Sequence, residues 1–303
     1  MRKSFCSAMT AAAVVPELVF LTGDLGYGAL EPLRDALGGR FINAGVAEQN
    51  MVSVAAGLAR NGLRPWAYSI APFIYARPFE QIRNDICLHN LPVILVGNGG
   101  GYGYGVMGAT HHAIEDYGSL LTLQHLQAVI PAFDADVGGA VDYCLRSDGP
   151  RYLRLGLGEE PKDYAPQPFG RWRKILEGNA GVILVAGPLA GGLLNAARDL
   201  RGEKRPTIWV ISVLPLVEAP QELIDDLRRA PTLSVVEEHI EAGGLGQQAA
   251  LWLVRRGIPL KRFRHYCANG YPSGRYGSQA YHRRLSGLVP ADIVRTFAEE
   301  SPA

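Results

Sequence analysis

Short, nearly continuous apolar runs recur along the first half of the chain: Leu18 to Thr22, Arg40 to Asn43, Ala67 to Ile70, Pro92 to Val96, the LQAVIPA stretch and RYLRLG. Runs of this length, bounded by glycine, proline or polar residues, read as buried strands. Between them the period changes. Ala47, Met51, Val54, Ala55 and Leu58 recur at helical spacing until Gly62 stops the run, and Phe79 to His89 and the GGAVDYCL stretch read as helices as well. Strands alternating with helices predict an α/β fold on a mainly parallel sheet. Pro161 to Gly170, PKDYAPQPFG, reads as a linker. Beyond it GVILVAG, TIWVISV, LSVVEEH and KRFRHY read as strands, with helices over Leu189 to Leu200, Ala219 to Arg229 and the GGLGQQAALWLVRRG stretch. The expectation is two doubly wound, mainly parallel-sheet domains, residues 1–160 and 171–303, joined by a linker over 161–170.

Composition narrows the partners. The 303 residues are 48% hydrophobic, enough for two ordinary cores. Thirty basic against twenty-nine acidic residues leave a formal charge of +1, so no electrostatic footprint for nucleic acid or an anionic membrane is visible. Small molecules and other subunits are the expected partners. Cys6, Cys87, Cys144 and Cys267 are far apart and form no CxxC pair, which fits free thiols in a reducing, cytoplasmic setting. MRKSFCSAMTAAAVV faintly imitates a secretory leader, but Pro16 and Glu17 interrupt it and a buried strand follows at once, so a first helix feeding a first strand is the better account. No apolar segment approaches the roughly 20 residues of a spanning helix.

The candidate chemistry gathers behind the strands. Glu48 falls on the first turn of a helix at a strand's carboxyl end, where α/β sheets place ligands. The same position equally serves an acid that only complements the helix dipole. Asp24 follows the first strand, Phe73 lies in an aromatic turn after Ile70, and His111 follows a glycine-rich loop, so all four can converge on one rim. Gly103-Tyr104-Gly105-Val106-Met107-Gly108 matches the GxGxxG dinucleotide fingerprint, but that motif joins strand to helix tightly. Here the strand ends near Val96 and the helix begins only around His111, so nicotinamide or flavin binding is not expected.

AGVAEQNMVSVAAGLA, APFIYARPFEQIRNDI, GATHHAIED and VVEEHIEAGGLGQQAA resemble the transketolase family of thiamine diphosphate enzymes, above all the C-terminal subunit of split transketolases. The resemblance covers nearly the whole chain and implies a pyrimidine-binding domain followed by a transketolase C-terminal domain, the latter chiefly a source of dimer contacts. It implies that Glu48 hydrogen-bonds N1′ of the cofactor's aminopyrimidine, that Phe73 stacks on that ring, that Asp24 lies near the cofactor, and that His111 moves protons at substrate oxygens. A GDG motif followed at the family's spacing by Asn, which holds Mg2+ and the diphosphate in the family, is not found. The resemblance therefore implies no metal ligands on this chain, a separate N-terminal subunit with the GDG…Asn motif, and an α2β2 assembly.

Departures from the family pattern concern the substrate. The family's histidine after the fourth strand is Gly99 here, the aspartate before its GPTH segment is Met107, the serine after the first strand's turn is Gly28, and a sugar-phosphate arginine is Leu157. Losing several charge-assisted contacts points to an atypical or non-phosphorylated substrate. Arg77, His112 and Arg154 are candidate replacements, with Met107 itself at the substrate. The leading expectation is transfer of a two-carbon ketol unit. The alternative is the β subunit of a 2-oxo acid dehydrogenase or decarboxylase, whose open loop Gly99-Gly100-Gly101 resembles.

Overall fold

The computed structural model describes residues 1–161, 163–271 and 274–299. Lys162 of the expected linker and residues 300–303 of the expected second domain lie outside them, as do Pro272 and Ser273. The strands are β1 (Leu18–Thr22), β2 (Phe41–Asn43), β3 (Arg64–Ile70), β4 (Ile94–Asn98), β5 (Gln127–Val129), β6 (Arg151–Leu155), β7 (Trp172–Leu176), β8 (Val182–Ala186), β9 (Thr207–Ile211), β10 (Val213–Leu214), β11 (Thr232–Glu237) and β12 (Arg262–Tyr266). They form a seven-stranded sheet ordered β10-β5-β6-β4-β3-β1-β2 and a five-stranded sheet ordered β12-β11-β8-β9-β7. All pairings are parallel except β10 with β5 and β7 with β9. The α/β class with flanking helices is as expected.

Side chains that alternate across β1 and β3 show why the first sheet needs cover on both faces. Val19, Leu21 and Ala67 belong to one buried cluster with Met51, Val52 and Ala55 of helix Glu48–Arg60. Leu18, Phe20, Trp66 and Tyr68 belong to another with Phe5 and Met9 of helix Arg2–Ala12, where Phe5 stacks on Tyr68. The N-terminal run is thus a core-forming helix. No helix among the described residues is long and apolar enough to cross a membrane.

Three local readings are revised. TIWVISV is not one strand: β9 stops at Ile211, the backbone N–H of Ser212 donates to Arg171, its carbonyl accepts from Ile130, and Val213–Leu214 cross over to pair antiparallel with β5. Phe79 to His89 begins as an α-turn, Phe79–Gln81, but continues as π-helix over Ile82–Cys87; there Asp85 accepts from Ser53 of helix Glu48–Arg60 at 2.7 Å. A helix at Glu31–Leu37 and the edge strand β7 are additional elements.

The two sheets are joined by buried polar groups. Arg154 Nε lies 2.7 Å from Asp116 Oδ2, and the same guanidinium donates to the carbonyls of Ala113 and Glu238. Glu237, at the end of β11, accepts from the Tyr117 hydroxyl, from the backbone N–H groups of Leu245 and Gly246 at 2.7 and 2.8 Å, and pairs with His265 Nε2 at 2.6 Å. Its carboxylate thereby caps the start of helix Leu245–Arg256. A Cβ on Gly244 would lie 2.6 Å from Glu237 Oε1, so the glycine-rich EAGGLG segment is demanded by close packing.

Candidate active site

Strand order in the first sheet changes direction at β1: the chain moves outward to β2 and then returns to β3 on the other side. A crevice outside the carboxyl ends of such strands is where an open α/β sheet accommodates a ligand. Glu48 lies there. It opens helix Glu48–Arg60 directly after β2, its side chain is only 3% exposed, and its Oε1 accepts from Ser69 Oγ at 3.1 Å, at the end of β3. Gly23, after β1, leaves room beside it: a Cβ there would sit 3.6 Å from Glu48 Oε1.

The next layer comes from helix Ala71–Ala76, which follows β3 without a loop and starts with Pro72 near its N-terminus. This helix carries Phe73 and ends at Arg77. Arg77 Nη1 lies 2.9 and 2.8 Å from the two oxygens of Glu48, and its guanidinium carbon sits 3.8 Å from the centroid of the Phe73 ring. His111 also meets Phe73, edge-on at 5.2 Å between centroids. Thr110 Oγ1 is 2.9 Å from His111 Nδ1, which leaves Nε2 as the ring nitrogen aimed elsewhere. Glu48, Arg77, Phe73 and His111 therefore form one contiguous cluster.

The remaining expected residues fall outside it. Asp24 lies on the same end of the sheet with φ of 54°, a strained backbone for a residue other than glycine. Its carboxylate accepts from Asn43 Nδ2 at 2.8 Å and from the Tyr27 hydroxyl. A crevice of about 420 Å³ beside that turn is lined by Thr22, Leu25, Tyr27, Glu31 and Asn43, and does not include Glu48. Met107 is exposed at the end of the glycine-loop turn Gly105–Met107. His112 points into the interior, stacked on Tyr271 and edge-on to Tyr102 and His282; burial, followed by the neighbouring His282, holds its pKa below the usual imidazole value. Arg154 is the buried partner of Asp116. The structure brings neither His112 nor Arg154 to the cluster.

Two residues at the site carry no motif. Ser69 could be found only by asking which polar group terminates β3 beside the Glu48 helix. Tyr104 is the other: its ring fills the space a side chain at Gly99 would need, its hydroxyl accepts from Asn98 Nδ2 at 2.5 Å, and its ring faces His111 at 6.4 Å. Among the described residues no group of three or more His, Cys, Asp or Glu is placed to hold a metal ion.

A buried acid near a half-buried aromatic ring suits a flat heterocycle that hydrogen-bonds at its edge. The guanidinium lying on Phe73 and bonded to Glu48 shows that one planar group can meet both at once. The family model described as "Transketolase, pyrimidine binding domain" matches residues 1–159, and the chain belongs to the transketolase family of thiamine diphosphate-dependent enzymes. Within that family it is of the kind found as the C-terminal subunit of split transketolases. It is 31% identical over 236 residues to the B subunit of apulose-4-phosphate transketolase from Actinobacillus succinogenes, covering 76% of this chain and 75% of that one. The protein of the same description from Phocaeicola vulgatus is 30% identical over 269 residues, 86% of this chain and 85% of that one. A solved structure described as a split gene transketolase, an inactive β4 tetramer, superposes with a TM-score of 0.83 at 29% identity, covering 99% of this chain and 98% of that chain. These likenesses favour a transketolase-type subunit over the 2-oxo acid dehydrogenase alternative.

Proposed function

We propose that this chain forms the pyrimidine side of the active site in a two-subunit transketolase-type enzyme that moves a two-carbon ketol unit. The observation that carries the reading is the buried carboxylate of Glu48 and the ring of Phe73 held within reach of one planar guanidinium, with His111 edge-on to the same ring. Bound thiamine diphosphate would supply the carbon nucleophile that carries the two-carbon unit from donor to acceptor. Glu48 holds a proton or hydrogen bond at the edge of the pyrimidine, Phe73 fixes the plane of that ring, and Asp24 borders the cofactor. His111, oriented by Thr110, moves protons at substrate oxygens.

The diphosphate and Mg2+ are assigned mainly to a partner chain that carries the GDG…Asn motif, in an α2β2 assembly. Both relatives are described as one subunit of their enzyme, which supports a second polypeptide. Tyr104 filling the space beside Gly99, and Met107 exposed on the same loop, support a substrate outside the usual sugar phosphates. The relatives' description makes apulose-4-phosphate the first ketose to try. The chain is read as two units, residues 1–160 and 171–303, and as a cytoplasmic protein.

The test is reconstitution with the candidate partner, Mg2+ and thiamine diphosphate, assayed for ketol transfer. Activity should require all components and vanish in Glu48→Gln while the assembly persists. Full activity in that variant would refute the role given to Glu48.

A further inference from the structure

The sequence makes Arg77 a candidate substrate contact, yet its side chain is engaged with Glu48 and Phe73. One nitrogen bonds both oxygens of Glu48, and the guanidinium carbon sits over the Phe73 ring, 3.8 Å from its centroid. Those are the two groups that define the pyrimidine seat in the reading above. A single side chain thus satisfies both recognition elements. Of the pair, Arg77 is the partner free to leave: its side chain is 42% exposed, against 3% for Glu48. Its backbone is held in place, since Gln49 Nε2 donates to the Arg77 carbonyl and Pro78 follows directly. The long, part-exposed side chain is the portion with room to swing into solvent.

The chemistry gives the arrangement a purpose. A carboxylate as buried as Glu48 is costly to leave without a counterion. Arginine is the side chain best able to stand in for a flat aromatic heterocycle, because it is planar, stacks on rings and donates hydrogen bonds from its edge. We infer that Arg77 is a built-in occupant of the pyrimidine seat: it caps Glu48 and covers Phe73 in the cofactor-free chain, and must withdraw before the aminopyrimidine ring can enter. Withdrawal leaves a cation at the mouth of the site, where it can receive an anionic group of the substrate. Loading the cofactor and creating the anion site are then one event. This inference rests on the assignment of Glu48 and Phe73 to the pyrimidine.

The test is calorimetric titration of thiamine diphosphate with Mg2+ into the full complex with the partner chain, using the unmodified protein, Arg77→Ala, Arg77→Lys and Phe73→Ala, with association rates from stopped-flow mixing. Arg77→Ala should lower Kd about tenfold and speed association, because a stacked, ion-paired cation no longer has to be displaced. Arg77→Lys, which keeps the charge but cannot stack flat, should fall between. An unchanged or higher Kd in Arg77→Ala overturns the inference. Phe73→Ala separates the two levels of the argument. If it weakens binding while Arg77→Ala does not tighten it, only the occupant is lost; if neither changes Kd, the seat is misassigned and the proposed function falls with it. Should Arg77→Ala fail to assemble, Arg77→Met keeps the packed stem and carries the same expectation. In the free chain, phenylglyoxal labelling of Arg77 read by peptide mass should be slow, and fast in Glu48→Gln; equal rates count against the inference.

Discussion

The Ser69 hydroxyl donates to Glu48 Oε1 at 3.1 Å, tying the first residue of a helix to the far end of the strand that follows it. Glu48 Oε1 is thus shared between a neutral hydroxyl and the Arg77 guanidinium. Glu48→Gln should cut kcat by about 10² to 10⁴, the span for removing a positioned acid or base. Ser69→Ala should cost far less and act through orientation. Steady-state kinetics on the reconstituted enzyme, with assembly checked by light scattering, distinguish the two.

His111 meets Phe73 at its edge and Thr110 at Nδ1. If it moves protons at substrate oxygens, His111→Ala lowers kcat by about a hundredfold or more while the Kd of the cofactor is little changed. Thr110→Val, which releases the ring but keeps the imidazole, should give a smaller loss and shift the pH profile of kcat. Equal losses of cofactor affinity and turnover in His111→Ala would assign the ring to packing against Phe73 instead.

Arg154 and Asp116 are both almost wholly buried, and Asp116 also accepts from the Tyr152 hydroxyl at 2.7 Å. Removing the cation alone strands a carboxylate in the interior. Arg154→Leu should destabilise the chain by about 3 to 5 kcal/mol, read as a fall in the denaturant midpoint. The double variant Arg154→Leu with Asp116→Asn should recover part of that loss. No recovery would mean that the guanidinium's bonds to Ala113 and Glu238 dominate.

Glu237 sets an acid limit. Burial works to raise its pKa, but His265, His239, Tyr117 and the Gly246 N–H together hold it below the ordinary glutamate value. With the folded pKa below the unfolded one, its stabilisation is complete above the unfolded value and is lost as pH falls through the folded one. Thermal midpoints should therefore drop on the acid side. Glu237→Gln should be less stable near neutrality and show a flatter acid limb; an unchanged slope would assign the acid sensitivity to other carboxylates.

The placement of the candidate residues is legible in the sequence because they sit at fixed offsets from strand ends; the roles given to them rest on the family resemblance. Glu48 followed from a short strand, a turn and a helical period, and Phe73 and His111 from their place behind β3 and the glycine loop. The apolar runs of β1, β4 and β8, buried throughout, marked the sheet interiors. What stayed hidden depends on distant contacts. β7 alternates buried and half-exposed positions at an edge, a weak signal in one strand of WRKIL. The break at Ser212 has no local breaker before Pro215; it arises from backbone partners in two other segments. His112, one residue from His111, faces the opposite way because the turn Ala109–His111 ends in extended backbone. Nothing in the order of residues announces that Arg77 lies on Glu48, since the ion pair spans two helices.

Val213 and Leu214 complete the outer border of the first sheet although they come from beyond the segment joining the two halves. A polypeptide severed between 161 and 170 would leave Gln127–Val129 with an unpaired row of amides, an invitation to self-association. Attempts to dissect the molecule into independently handled pieces should retain that short return strand with the N-terminal piece, or graft a surrogate for it.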